Sequence, residues 1–448
     1  MATPPPVLRG EPGYASISDR ISAVVLARSF TWRWTVGLLV SGTLALAFIY
    51  GVVVLFVVGV GLFGVNIPAA WGFPIVNVVW WIGIGHAGTL ISAVLLLTRQ
   101  PWRTSINRFA EAMTIFAVAI AGLWPILHLG RPWFFYWLVP YPSTMEVWPQ
   151  WRSPLVWDFF AIFTYVTVSL LFWYLGLVPD LATLRDRAKN RLRQVLYGLG
   201  SLGWRGDARH WQRFEVTYLL LAGLATPLVV SVHSVIALDF AVTLVPGYHS
   251  TLFPPYFVAG ALYSGFCMVA TLAVPLRHYF GLHDFITARH LDNIGKMLLA
   301  SGMVVAYGYA MEAFIAWYSG SEFHRYMMWN RAFGPYAPVF WAMLGLNVGL
   351  LQLLWCRRVR TSAWALFALS ILINAGMWLE RYVIVITSEH RDFLPSAWRT
   401  VAPTTWDWLL LAGSLGLFFF LMLMFIRLLP AISMFEMREL SHDRGQAP

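Results

Sequence analysis

Charged residues are scarce in this chain. Asp, Glu, Lys and Arg make up 12% of its 448 residues, whereas an ordinary soluble domain carries about 25%. Cysteine is scarcer still. Cys267 and Cys356 are the only two, and both lie in apolar stretches. Such a pair excludes a disulfide framework, a cysteine-ligated iron–sulfur cluster and a cysteine zinc site. No C-x-x-C-H run occurs, so no haem is attached through that motif. Acidic residues are outnumbered, leaving a net charge of +10. A basic excess can signal nucleic acid. Here most basic residues fall between long apolar runs, which points to membrane topology and away from nucleic acid.

What the chain has in abundance is apolar sequence, at 59% of residues. About 20 apolar residues cross the roughly 30 Å hydrocarbon layer of a bilayer. Ten runs qualify: 36–63, 74–98, 108–129, 155–178, 214–239, 256–277, 293–318, 336–356, 362–386 and 406–429. The expected fold is an all-α integral membrane protein, with a tail over 1–35, a membrane domain over 36–429 and a tail over 430–448. The first run is too long for a signal-peptide core and should stay in the membrane. Residues 1–35 carry Pro4, Pro5, Pro6 and Pro12, with a short interfacial helix expected near 17–26. Of the 31 Lys and Arg residues, 24 fall on the side shared by the two tails. The Lys/Arg excess marks the cytoplasm, so both termini are expected inside. The 179–213 segment reads either as a surface helix on headgroups or a partner, or as a solvated connector. No internal repeat is evident.

An ionised side chain at the bilayer centre costs about 2.5–3.5 kcal/mol on insertion scales, so those inside the runs need a reason. Several gather at the outer ends. His128 closes the third run and Asp158 opens the fourth. Between them lies the aromatic, proline-rich loop Trp133-Phe134-Phe135-Tyr136-Trp137-Leu138-Val139-Pro140-Tyr141-Pro142. His233 and Asp239 end the fifth run, Glu312 lies in the outer third of the seventh, and Glu380 and Arg381 near the outer end of the ninth. The loop Glu389-His390-Arg391 follows. A helix N-terminus favours an ionised Asp158. Each residue has a plainer reading: an N-terminal carboxylate, an interface histidine, an internal Glu380–Arg381 ion pair, a solvated 389–391 loop, an aromatic belt. Their convergence on one face suits removal of protons from a lipid-borne reductant. Deeper lie His86, flanked by glycines, and Glu111. With His233, Tyr307, Tyr309 and Glu312 they form a candidate proton route, or else hydrogen-bond one helix to another.

Several longer segments carry a family resemblance. They are Trp71-Gly72-Phe73-Pro74-Ile75-Val76-Asn77, Trp80 through Ser92, Ser105 through Thr114, His128-Leu129-Gly130-Arg131-Pro132-Trp133, Arg152-Ser153-Pro154-Leu155-Val156-Trp157-Asp158 and Arg391-Asp392-Phe393-Leu394-Pro395. Together they resemble the membrane subunits of the polysulfide-reductase (NrfD-like) family, above all the two found in alternative complex III. The resemblance implies two four-helix bundles, about 74–239 and 256–386, with one flanking helix at each end. It implies a multi-pass subunit of the bacterial inner membrane with no covalently bound cofactor and no metal. Quinol of the menaquinone or ubiquinone class would bind near the periplasmic face. Electrons would pass to an iron–sulfur subunit and onward to c-type haem subunits, beside a second homologous membrane subunit. His128 and Asp158 match the family's quinol site, with Asp239 and Arg391 alongside and Trp133 packing the headgroup.

The expected function is therefore quinol oxidation within an alternative complex III, with proton release and a coupled proton path. Two readings stay close: the homologous scaffold or proton-pathway subunit, and the membrane anchor of a molybdenum oxidoreductase. A b-type cytochrome would need axial histidines facing across a bundle, but His86, His128 and His233 fall on separate helices at unequal depths. A secondary transporter would gather its charges at the midplane, not at one face.

Overall fold

The computed structural model describes residues 6–10, 13–27, 31–129, 131–138 and 151–445. Gly130 of the His128 motif and residues 139–150 of the aromatic loop lie outside the described residues. Apolar sequence of spanning length satisfies its backbone hydrogen bonds within a helix, and among the described residues ten helical segments are long and apolar enough to cross a membrane. In chain order the helices of the first half are α1 (Tyr14–Leu26), α2 (Trp32–Val58), α3 (Gly72–Leu97), α4 (Asn107–Leu127), α5 (Pro154–Arg187), α6 (Arg191–Gly200) and α7 (Ala208–Ala241). Those of the second half are α8 (Phe253–Tyr279), α9 (Ala288–Tyr318), α10 (Glu322–Phe333), α11 (Ala337–Leu344), α12 (Arg357–Thr361), α13 (Ala363–Glu389), α14 (Thr405–Leu428) and α15 (Met434–Gly445). The spans are α2–α5, α7–α9, α13, α14 and the segment Ala337–Trp355. That last span is not one smooth helix. It runs from α11 through a π turn at Gly345–Gly349 into a 3-10 segment at Leu350–Trp355.

α3, α4, α5 and α7 pack as one group, and α8, α9, α13 and the Ala337–Trp355 span as another. α3 and α8 are the most buried spans and meet where the groups join. Glycine makes these approaches close. A Cβ on Gly88 of α3 would stand 2.0 Å from the Ala110 carbonyl oxygen of α4, and one on Gly265 of α8 would stand 1.8 Å from the Ala87 Cβ. α2 and α14 come from opposite ends of the chain, yet they pack on each other, and α14 lies along α4. Asp207 caps α7 by accepting from the His210 N–H at 2.8 Å, and Thr404 with Asp407 closes a capping box on α14.

α5 and α7 each run 34 residues, about 50 Å at 1.5 Å per residue. That is longer than a bilayer's hydrocarbon layer of roughly 30 Å, and most of the 179–213 segment is helix and not connector. Between them α6 exposes Leu192, Leu196 and Leu199 beside Arg191.

α15 is fastened below the first bundle by buried charge. Glu436 accepts from Arg103 at 3.0 Å and from Asn107 at 2.8 Å, while Asp180 accepts the Met434 N–H at 3.1 Å. Arg108, fully buried, pairs with Glu111 at 3.2 Å and with Asp180 at 3.6 Å. Its guanidinium lies against Gly176, where a Cβ would stand 2.0 Å from Nη1.

Candidate functional site

His128 is the C-cap of α4, its N–H bonded to the Trp124 carbonyl at 3.0 Å. Its ring Nδ1 lies 3.0 Å from the Pro125 carbonyl. A carbonyl only accepts, so Nδ1 carries the proton and Nε2 presents a lone pair. Burial lowers the His128 pKa from its ordinary value, which keeps the ring neutral near pH 7. The result is a neutral base with a fixed tautomer at the C-terminal end of α4.

Asp158 lies four residues into α5 and Asp239 in the last turn of α7, and these two helices pack together. The carboxyls meet in a hydrogen bond. A bond between two carboxyls requires one of them to carry a proton. Among the described residues, no N–H or O–H reaches Oδ1 of either aspartate. α5 also packs against α4, and the 3-10 segment Pro132–Leu138 touches both helices. His128, Asp158 and Asp239 therefore stand at neighbouring helix ends on one face, although the bond described for His128 is to Pro125 and not to either aspartate.

Trp133 is half exposed, its ring 6.2 Å from that of Phe134, and Phe135 and Tyr136 are exposed too. In the described part of the loop these rings form a rim and not a closed roof. The apolar wall beside Asp239 comes instead from Phe240, with Trp71 at 5.5 Å and Tyr248 at 5.0 Å between ring centroids. The backbone N–H of Trp71 also donates to Glu389 Oε2 at 3.2 Å. Nothing in the hydropathy pattern brings residues 71, 240 and 389 together.

Arg391 does not pair with Asp239. It donates to the Tyr326 hydroxyl and to Asn330 Oδ1, both at 3.1 Å, and lies over the Trp398 ring. Both partners sit on α10, a helix too polar to register as a span. Glu389 and His390, which the plainer reading left in a solvated loop, are buried at the end of α13. Burial and then the neighbouring Arg391 push the His390 pKa down to about 4.

His86 and His233 correct the expectation of unequal depths. Their Nδ1 atoms are 2.7 Å apart and both rings are fully buried. Nitrogens in direct hydrogen-bond contact leave no room for a metal between them, so this pair is not a set of axial haem ligands. α3 carries His86, Thr89 and Ser92 on successive turns. Thr89 donates to Ser169 at 3.2 Å, and Ser92 to Glu111 at 2.5 Å. Glu111 also accepts from Tyr218 at 3.2 Å and belongs to the Arg108 ion cluster. In the second bundle, Glu312 pairs with Arg331 at 2.6 Å, Glu380 pairs with Arg381 at 2.7 Å, and Tyr309 donates to Glu380. Tyr307 is 60% exposed. Two residues from Tyr309 on a helix, it points away from that network, so it drops out of the candidate route.

Comparison with known proteins adds a family and two relatives. The family model described as "Polysulphide reductase, NrfD" matches residues 61–391. A protein of Halobacterium salinarum, named as a membrane subunit of a putative dimethyl sulfoxide reductase, is 27% identical over 335 residues, covering 72% of this chain and 70% of the relative. A selenate reductase subunit of Mesobacillus selenatarsenatis is 22% identical over 404 residues, covering 84% of this chain and 89% of the relative.

Proposed function

The chain belongs to the polysulphide reductase NrfD family, and from that premise we propose that it is the quinol-oxidising membrane subunit of a multisubunit oxidoreductase. The observation that carries the proposal is the Asp158–Asp239 carboxyl pair, built from two helices at the face where His128 offers Nε2. Oxidation of a quinol releases two protons and two electrons. His128 Nε2 takes one proton and becomes imidazolium. The carboxyl pair, holding one proton, has capacity for the second. The two electrons leave to an iron–sulfur partner docked at the same face. Both acceptors then release their protons to the outer water. Trp133 and Arg391 stand at the rim, where their roles are headgroup entry and docking.

The names of the two relatives favour, among the assemblies weighed from sequence, the anchor of a molybdenum oxidoreductase. They do not favour alternative complex III, with its c-type haem subunits and second homologous membrane subunit. The subunit is read as lying in the cytoplasmic membrane with both termini inside, since 24 of the 31 Lys and Arg residues lie on that side. His86, His233, Thr89, Ser92 and Glu111 would form the inner half of a proton route, with His86, Thr89 and Ser92 a turn apart along α3, His233 of α7 at one end and Glu111 of α4 at the other. Purification of the intact complex from native membranes tests the assembly. Molybdenum and iron–sulfur in the co-purified subunits are expected, and c-type haem with a second homologous subunit would return the reading to alternative complex III. Quinol turnover of Asp158→Asn in the assembled complex tests the site.

A further inference from the structure

The second bundle holds a cavity that the quinol site does not use. It measures about 570 Å³ and lies between α9, α13 and the broken span Ala337–Trp355. Ala310, Ala313, Trp341, Gly345 and Gly349 are exposed along its mouth. All five belong to segments long and apolar enough to cross a membrane, so the mouth opens sideways, on the face such segments turn to lipid. Two local features make the space. α9 offers only methyl groups at Ala310 and Ala313, and the π turn at Gly345–Gly349 interrupts the facing span with glycine at both ends. Single π turns within helices are frequent at functional sites.

The deep end is polar. Tyr309 donates to Glu380, itself paired with Arg381, and accepts from Asn347 Nδ2 at 2.8 Å. Glu312 and Arg331 form a second ion pair on the same wall. Glu380 is only 1% exposed. Ionisable groups at membrane depth are costly and mark candidate functional sites, and a lipid acyl chain has no use for them. A mouth open to hydrocarbon and a deep end of hydroxyl, carboxylate and guanidinium fit a molecule with an apolar tail and a small head that exchanges hydrogen bonds. The volume falls within the usual range for small-molecule sites, about 300–1,000 Å³.

We infer that this cavity is a second binding site for a quinone-class headgroup, entered sideways from the bilayer and separate from the His128, Asp158 and Asp239 site. It stands on different helices and does not depend on the role proposed for those residues. As inferred, it binds and exchanges quinone and performs no electron transfer.

The test is photolabelling of the intact complex in lipid nanodiscs with an azido-quinone, followed by peptide mapping. Label is expected in two regions, one within 128–158 or 233–241 and one within 303–349. Ala310→Trp fills the mouth from an exposed position. It should reduce label in 303–349 at least tenfold and leave the first region unchanged. Tyr309→Phe should reduce it several-fold. The inference is overturned if 303–349 takes no label, if its label survives Ala310→Trp, or if phospholipid without quinone competes it away. Label confined to 303–349 would support this site and reject the proposed one, whereas label confined to the first region would do the reverse.

Discussion

Substituting Asp239→Asn separates a catalytic carboxyl pair from a structural one. Asparagine keeps the shape at the end of α7 and offers an N–H to Asp158, so α5 and α7 stay joined. The shared proton is lost, and Asp158 is left as a lone carboxylate held by an amide that, unlike a carboxyl, cannot pass a proton on. If the pair is the second proton acceptor, the loss should match a general base, about 100- to 10,000-fold in kcat. That corresponds to about 2.7–5.4 kcal/mol on the barrier. A purely structural pair predicts otherwise: a stability change near that of one hydrogen bond, about 0.5–1.5 kcal/mol, with normal turnover. The assay is steady-state oxidation of a short-chain quinol, normalised to assembled complex by size-exclusion chromatography. KM should move far less than kcat, because the pair acts on the proton in flight. Adding His128→Phe should lower the rate by less than the product of the single effects, since both groups serve one transition state. A fully assembled Asp158→Asn/Asp239→Asn variant that oxidises quinol normally would refute the reasoning and favour the scaffold subunit.

Burial lowers the His128 pKa, and only the neutral ring accepts a proton. Quinol oxidation should therefore rise with pH along an acid limb with a midpoint below about 6.5, and His128→Phe should abolish that limb; a limb that persists assigns it elsewhere. His390 has a folded pKa of about 4 against an ordinary value of 6.5. Between those values the opened state binds more protons, so the segment's stability rises with pH and is progressively lost as pH falls from 6.5 towards 4. Protection factors over 389–401, corrected for the intrinsic pH dependence of amide exchange, should be lower at pH 5 than at pH 7.5, and equal protection would contradict the burial argument. Arg108→Met leaves Glu111 and Asp180 without their buried cation, and breaking such a cluster costs about 3–5 kcal/mol. The variant should assemble poorly and melt early, and unchanged thermal stability would show the cluster to be dispensable. For topology, with exposed Cys356 replaced by serine, a cysteine introduced within 141–150 should react with an impermeant reagent in intact cells and one near Arg187 should not; the reverse pattern removes the site from the outer face.

Ten segments able to cross a membrane are a local property, and the sequence by itself determined them; the orientation proposed for them rests on the same local reading. Each follows from about 20 residues of apolar chain and the charge of the adjoining loop. The same local logic places His128 at the end of α4 and Asp158 near the start of α5, because one loop joins them. Rotation and relative depth are not local properties. Whether Asp158 meets Asp239, or His86 meets His233, depends on how α5 and α3 turn against α7, and a uniformly apolar helix carries almost no stripe to report it. Tyr307 and Tyr309 look alike in the chain, but about 200° of rotation sends one to lipid and the other to Glu380. Short polar helices were equally hidden. α10 takes Arg391 away from Asp239, and α15 returns Glu436 to Arg103 across more than three hundred residues of chain. Only the packed tertiary structure decides such partners, because the energy that selects them comes from pairing buried polar groups across helices distant in sequence.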